Sequence, residues 1–349
     1  MPGPSPKSHG VFNQLFAAIL TLADVIRNFW NSEEPKTTAN FADMTQSSFV
    51  DRVAMTTRCK DASNIPKVSD AGQIFERDGQ RLQRMHEGSL VMAGGYHGEW
   101  MSQIIKHLKG HHEPQEELLF HEILKHVAPN SCIVELGAFW AYYTSWFLGR
   151  VKGGSAVCVE PDENNMKCGM RNLALNGRCA TWINAAVGGA GCEDMIVSHG
   201  TDGREVNVPC LDMNALRAQV SVPEIEILHL DVQGAELDFL RSLDDVVTER
   251  ALRFVFVSTH HSSISGSQAT HQECIRELQR LGAMILAEHT IEESFSGDGL
   301  IVASFWVEDA HIRLPDPSRN TARNSLFGGR PGTVGLADAE IKRSISASR

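Results

Sequence analysis

The chain has 349 residues, 42% hydrophobic and 21% charged, a globular composition with enough length for one large core and an appendage. Its 43 acidic side chains outnumber 32 basic ones, for a formal net charge of −11, which argues against a duplex-binding face and against nucleic acid as a partner. Eight cysteines are scattered without a Cys-x-x-Cys pair, so no zinc ribbon or thioredoxin motif is indicated and small buried thiols in a reducing cytoplasm are expected.

From the N-terminus, Phe12–Ile26 is apolar but interrupted by Asn13, Gln14, Thr21 and Asp24. It is too polar for a membrane span and lacks the basic leader of a signal peptide. An amphipathic docking helix over about 12–30 is expected, with oligomer contact as the alternative. A connector rich in Ser, Thr and Asn follows, and a helix from about Ala71 to His86 would place Ile74 and Leu82 on one side. Residues 1–85 therefore read as a helical N-terminal extension. Leu118, Leu119, Ile123, Leu124 and Val127 recur at helical spacing, and Pro129-Asn130 ends that helix.

Strands and helices then alternate. The apolar runs predict strands at 132–136, 155–160, 181–187, 225–231, 252–258, 283–288 and 299–306. Helices are expected at about 142–150, 162–176, 235–243 and 268–281, with Asp162 as an N-cap and Gly177 as a stop. Short runs at 194–198 and 205–210 suggest a hairpin insertion. This alternation implies an α/β, doubly wound, mostly parallel sheet. The last two strands are joined by a loop too short for a crossover helix, so they should pair antiparallel. That is the Rossmann-like shape of a class I methyltransferase, expected over residues 86–310. The tail 311–349, with Pro315, Pro317 and Pro331, reads as loop or a mobile extension.

Two strand ends form a nucleoside half-site. The run Cys132–Leu136 contains Glu135 and leads into Gly137; the run Ala156–Val159 ends in Glu160. A nicotinamide fingerprint needs three glycines to crowd backbone against a pyrophosphate. Only Gly137 is present, and Ala138, Phe139, Trp140, Tyr142 and Tyr143 fill the rest of the turn. That suits a ligand without phosphates, such as S-adenosylmethionine. Glu135 would face its ammonium, Gly137 would let the backbone turn sharply, and Glu160 would accept both ribose hydroxyls. Asn184 and Ala185 lie where an adenine edge would rest. The cofactor set is thus Glu135, Gly137, Ala138, Tyr143, Glu160, Asn184, Ala185 and Asp231. The bland alternative is that the two acids merely cap strands of a nucleotide-free domain.

The run VELGAFWAYYT, then VEPDENNMKCGMRNLALNG, NAAVG and LHLDVQGAELDFL resembles the FkbM family of S-adenosylmethionine-dependent methyltransferases. The likeness covers roughly residues 115–306, with Asp-Val-Gln-Gly-Ala-Glu (231–236) its most distinctive part. The closing SFSGDGLIVAS (294–304) is similar to that family's last strand. The resemblance implies methyl transfer, often to a hydroxyl of a sugar or natural product. The bulky turn after Gly137 departs from the further glycines of many class I enzymes.

At the chemical end, strand 225–230 ends in Asp231, and the next ends in His260 and His261. Ligands of open α/β sheets sit outside the carboxyl ends of strands, so Asp231 and His260 should meet there. Two roles compete for the pair. One is a general base with an orienting partner. The other is ligation of a divalent cation such as Mg, with Glu236 as a third ligand and His261, His271 or Glu293 as further candidates. A structural contact for Glu236, and ordinary hydrogen-bonded histidine for His261 and His271, are the simpler readings. Tyr96, His97, Glu113 and Gln115 could line a lid, and Asp298 could stand at the rim of the acceptor pocket.

These observations point to a cytoplasmic enzyme methylating a hydroxyl of a small polar acceptor. Methylation of nitrogen on a protein or amine, and a silent nucleoside-binding module, stand as alternatives. No membrane span is expected, and a homo-oligomer stays open.

Overall fold

The protein is seen as a computed structural model that describes residues 46–198, 203–222, 224–321 and 323–327. The expected docking helix at 12–30 lies outside the described residues, as does the tail beyond 327. Among the described residues, no helix is long and apolar enough to cross a membrane.

Seven apolar runs form the central sheet: β1 (Cys132–Leu136), β2 (Ser155–Val159), β3 (Thr181–Ile183), β4 (Ile225–Leu230), β5 (Leu252–Thr259), β6 (Met284–His289) and β7 (Gly299–Ser304). Their order is β6-β7-β5-β4-β1-β2-β3. The five strands from β5 to β3 run parallel, and β7 lies antiparallel between β5 and β6. This is the expected doubly wound sheet with its antiparallel close. The chain leaves β1 toward β3, then returns to β4 on the other side of β1. The topological switch point, where such sheets bind ligands, is therefore the β1–β4 crevice.

Every residue of β1 and β4 is buried, which explains why these strands read as continuous apolar runs rather than alternating ones. Val134, Leu136, Val157, Val159, Leu228, Leu230, Val255 and Val257 pack one face. Ile133, Ile227, Phe254, Phe256 and Val302 pack the other. Each such side chain contributes roughly 1.5–3 kcal/mol when fully buried. The helix Glu163–Leu175 begins at the expected cap: Asp162 accepts from the Asn164 amide at 2.7 Å and the Asn165 amide at 3.3 Å.

Three expectations are corrected. The stretch 71–86 is not a helix but a hairpin, Ile74–Arg77 antiparallel to Gln80–Arg84, extended by Leu90–Met92. Asp78 and Gly79 both have positive φ (53° and 73°), the backbone that a two-residue type I′ turn requires. Ile74 and Leu82 therefore do not share a helix face; Leu82 pairs with Phe75 across the strands. The proposed boundary at 85/86 falls inside this sheet, between its second and third strands. The third central strand stops at Ile183, and Ala186–Val187 leaves to pair with Cys210–Leu211. That excursion brings Cys192 to Cys210, joined as a disulfide instead of remaining free thiols. Cys59, Cys132, Cys158 and Cys274 are buried thiols as expected. Residues 314–321 lack regular structure, as a loop would, and are tied to the body of the protein. Gln115 donates to the Ser318 carbonyl at 2.6 Å and Asn320 to the Ser294 carbonyl at 2.9 Å.

Candidate active site

The β1–β4 register places Glu135 beside His229 and Leu136 beside Leu230, so Gly137 meets Asp231. A Cβ at Gly137 would stand 1.8 Å from the Asp231 carbonyl oxygen, and its φ is +75°. Only glycine fits, because the turn must cross the neighbouring strand end at backbone contact. The amides of Gly137 and Ala138 both donate to the Val159 carbonyl, at 2.9 and 3.0 Å. The Ala138 methyl packs into the core with Cys158 and Leu173, so only its backbone is free to face a ligand. Phe139 and Ala141 adopt φ of 35° and 56°, left-handed values that side chains rarely take.

Glu160 ends its strand where the sequence suggested. One carboxylate oxygen accepts from the Phe139 amide at 3.0 Å, the other from the Asp162 amide at 3.0 Å. The Asp162-side oxygen also accepts from the Asn165 side-chain amide at 3.4 Å, so it is the oxygen bonded to Phe139 that keeps a free lone pair. Burial lifts its pKa to about 7, against those hydrogen bonds. Asn184 donates to the Glu160 and Pro161 carbonyls at 2.9 Å, and Ala185 is buried beside it. Glu135 accepts from the Thr144 amide at 3.0 Å, at the start of the helix Tyr142–Arg150, and burial raises its pKa. The Tyr143 hydroxyl is committed to Glu113 at 3.2 Å, with its ring 4.3 Å from that of His229.

At the ends of β4 and β5, Asp231 and His260 do meet: His260 Nε2 lies 3.1 Å from Asp231 Oδ1. Its Nδ1 is 2.6 Å from Glu236 Oε1, and Asp298 Oδ1 stands 3.7 Å from Nε2. Burial opposes charge on the ring, but Asp298, Asp231 and Glu236 outweigh it and hold the pKa well above the usual histidine range. Burial pushes the Asp231 carboxyl up, and the hydrogen bond and charge of His260 bring it below its ordinary value. Asp298 is raised to about 6, by burial first and by Asp231, with His260 opposing.

The model of the Methyltransferase FkbM domain matches residues 126–284. The chain carries an FkbM methyltransferase domain. It is an S-adenosylmethionine-dependent methyltransferase. No curated protein matches the chain. Among solved structures, precorrin-6y C5,15-methyltransferase from Geobacter metallireducens is 12% identical, with 54% of this chain and 87% of that one covered at a TM-score of 0.35. Ribosomal protein L11 methylase from Lactobacillus delbrueckii subsp. bulgaricus is 13% identical over 55% of this chain and 78% of that one, also at 0.35. A SAM-dependent methyltransferase from Aquifex aeolicus is 10% identical over 54% and 89%, at 0.33.

The residues of this methyltransferase fit its cofactor at the ribose end. The Gly137 turn leaves no room for a side chain, and the Glu160 oxygen bonded to the Phe139 amide keeps acceptor capacity for a hydroxyl. The cation expectation fares differently. Glu236 meets Nδ1 of His260 and Asp231 meets Nε2, on opposite edges of the ring. Those three side chains do not converge on one point and do not fit a single coordination shell. Glu236 Oε1 instead meets His260 Nδ1 and accepts from the Gly234 amide at 3.0 Å.

The remaining candidates separate. Tyr96 stacks on Trp140 with centroids 4.5 Å apart and meets Phe139 edge-on at 5.1 Å. His97 lies 5.5 Å from Phe139, so both lid residues belong to an aromatic wall over the Gly137 turn. Gln115 is a clasp: it accepts from the Phe295 amide at 2.7 Å and donates to the Glu293 carbonyl. His261 stacks on Phe327 at 4.2 Å. His271 bonds Thr259 at 2.8 Å and pairs with Glu288, while Glu293 caps the turn at Thr290. None of these three bonds Asp231 or His260. Three neighbours went unread in the sequence. Gln233, at φ 55°, reaches His260 Nε2 at 2.8 Å. His229 meets Glu116 at 2.6 Å, and its pKa rises to about 8 as that carboxylate outweighs burial. Arg52, from the helix Gln46–Thr56, faces Asp298 electrostatically. A sequence signal existed only for Gln233, inside the Asp231–Glu236 motif.

Proposed function

We propose that the chain methylates a hydroxyl of a small polar acceptor, a sugar or natural product, with Asp231 as the proton acceptor and His260 as its positioning partner. The observation that carries this reading is the Glu236–His260–Asp231 line at the strand ends beside Gly137. A hydroxyl is a weak nucleophile until its proton is removed. His260 holds its own proton between carboxylates, so it cannot take another; the low-pKa Asp231 carboxylate, 29% exposed, can accept one. When bound, the cofactor supplies an electrophilic methyl on a sulfonium. Glu160 and Gly137 would hold its ribose end, with Glu135, Ala138, Tyr143, Asn184 and Ala185 shaping the rest. Orientation between acceptor oxygen and methyl would supply much of the acceleration.

The aromatic wall of Tyr96, Phe139 and Trp140, near Asp231 and Asp298, favours a second reading: N-methylation of an amine, whose cationic form such faces attract. Methyl-labelled S-adenosylmethionine incubated with hydroxyl and amine acceptors separates the two. Label in polyols or glycosides that is lost in Asp231→Asn supports the first. Label confined to amines would replace it with the second, and cofactor binding without transfer to any acceptor would leave a silent module.

A further inference from the structure

A cluster outside the methyl-transfer site gathers three side chains of metal-ligating type in the buried interior. His86 follows the hairpin strand Gln80–Arg84, His111 precedes the helix Pro114–Ile123, and Glu117 lies on that helix. All three are buried, and one donor atom from each lies within 4.8 Å of the others. The His86 and His111 rings stack with centroids 4.2 Å apart. Glu117 Oε1 is occupied by the amides of His112 and Glu113, at 2.7 and 3.0 Å, and by His112 Nδ1 at 2.9 Å. Glu117 Oε2 is where the rest converge. His111 Nδ1 contacts it directly, and the Tyr142 hydroxyl donates to it at 2.8 Å while lying 3.1 Å from His86 Nδ1.

The backbone is built for this approach. The His86 amide donates to the Gly110 carbonyl at 3.2 Å, and a Cβ at Gly110 (φ +88°) would stand 2.2 Å from the His86 nitrogen. Only a glycine there lets the two histidine-bearing loops touch and stack their rings.

We propose that His86, His111 and Glu117 form a closed structural site for a zinc-class divalent cation, with the Tyr142 hydroxyl as its fourth neighbour. Two imidazole nitrogens and one carboxylate oxygen are the donor set of a borderline metal; magnesium and calcium prefer all-oxygen shells. Bonds of about 2.0–2.1 Å in tetrahedral geometry set donors roughly 3.4 Å apart, so the cluster closes on an ion with shifts of about an ångström. Burial of all three ligands leaves no open coordination position for a substrate, which makes the site structural. Its role follows from the chain connections. Tyr142 opens the helix that follows the Gly137 turn, so the ion would staple the N-terminal hairpin and the Pro114–Ile123 helix onto the cofactor-binding helix. This inference stands apart from the methyl-transfer reading.

The test is metal analysis of the full chain purified from zinc-supplemented medium. One zinc per chain is expected, with X-ray absorption showing nitrogen and oxygen neighbours that include two imidazoles. Chelator should lower the melting temperature, and zinc but not magnesium should restore it. His111→Gln and His86→Gln should each weaken zinc binding by roughly 100-fold, whereas Cys192→Ser should leave it unchanged. Chelator-treated wild-type chain that takes up no zinc at micromolar concentrations overturns the proposal. So does zinc bound with sulfur in its shell, or zinc retained in the His86→Gln/His111→Gln double variant. Should the variants fail to fold, the wild-type stoichiometry and absorption spectrum decide alone.

Discussion

Glu160 and Asp231 are both carboxylates at the carboxyl ends of parallel strands, one on each side of β1, yet their charges are governed oppositely. Glu160 is buried among amide donors, with no cation bonded to it among the described residues, and burial lifts its pKa to about 7. Asp231 is also desolvated, but the charged ring of His260 more than compensates, and its pKa falls. Neutral donors only partly repay the desolvation of a carboxylate, whereas an adjacent cation overpays it. The proposed cofactor end therefore carries a group on the edge of ionisation, one that a ligand's hydroxyl would complete. The proposed chemical end carries a carboxylate that His260 favours in its ionised form, the form that could take a proton as the acceptor reacts.

The sharpest way to break this comparison is Gly137→Ala, because Gly137 is where the two ends touch. The added Cβ would overlap the Asp231 carbonyl at 1.8 Å, in a backbone already at φ +75°. Left-handed strain and overpacking together cost roughly 2–5 kcal/mol. Calorimetry should show cofactor affinity down by about 100-fold or more, with a lower melting temperature. Wild-type affinity would mean the turn is not part of the binding site. Next in size, Asp231→Asn removes the proton acceptor while keeping shape. Its kcat should fall by roughly 100-fold to 10,000-fold, read with labelled cofactor under saturating acceptor. An unchanged rate would remove Asp231 from the chemistry.

How much of each end was legible follows from the same physics. Buried parallel strands are continuous apolar runs, so β1, β2, β4 and β5 could be placed from composition, and with them Glu135, Glu160, Asp231 and His260 at their ends. The Asp162 cap was legible because capping chemistry is local. What could not be read depended on pairing across distance or on backbone handedness. Asp298 reaches His260 only because β7 runs antiparallel beside β5. Cys192 and Cys210 meet because Ala186–Val187 leaves the central sheet. Phe139 and Ala141 take left-handed backbone with no glycine to announce it. The hairpin at 74–84 is a different kind of miss. Its Asp78-Gly79 turn signal is local, but the sparse apolar residues around it also fit a helical period, and the two signals compete.

Glu160→Gln tests the cofactor end with a smaller expected effect. A hydrogen bond to a charged group is worth about 1.5–3 kcal/mol, so the dissociation constant for S-adenosylhomocysteine should rise by roughly 10-fold to 150-fold. The pH dependence sharpens the assignment. A ribose diol donates to the ionised form, and in the free protein that form is lost as pH falls through about 7. Wild-type affinity should therefore be flat above pH 8 and fall about tenfold per unit at acidic pH. In Glu160→Gln the curve should lose this slope; a slope that survives would belong to another group.

The smallest effect is expected at Glu236, which acts on Asp231 only through His260. Its carboxylate is one of three that keep the His260 ring charged. Glu236→Gln preserves an acceptor oxygen for Nδ1–H but removes that negative charge, so the ring's pKa should drop. Once His260 loses its proton, Asp231 loses its compensating cation and its fixed orientation. The rate should then decline on the alkaline side, and that decline should begin at lower pH in the variant, by about one unit. At neutral pH the loss should be only a few-fold. A variant that is slower at every pH, with its alkaline decline unmoved, would mean that Glu236 merely supports the fold and that the charge on His260 is set by Asp231 and Asp298 alone.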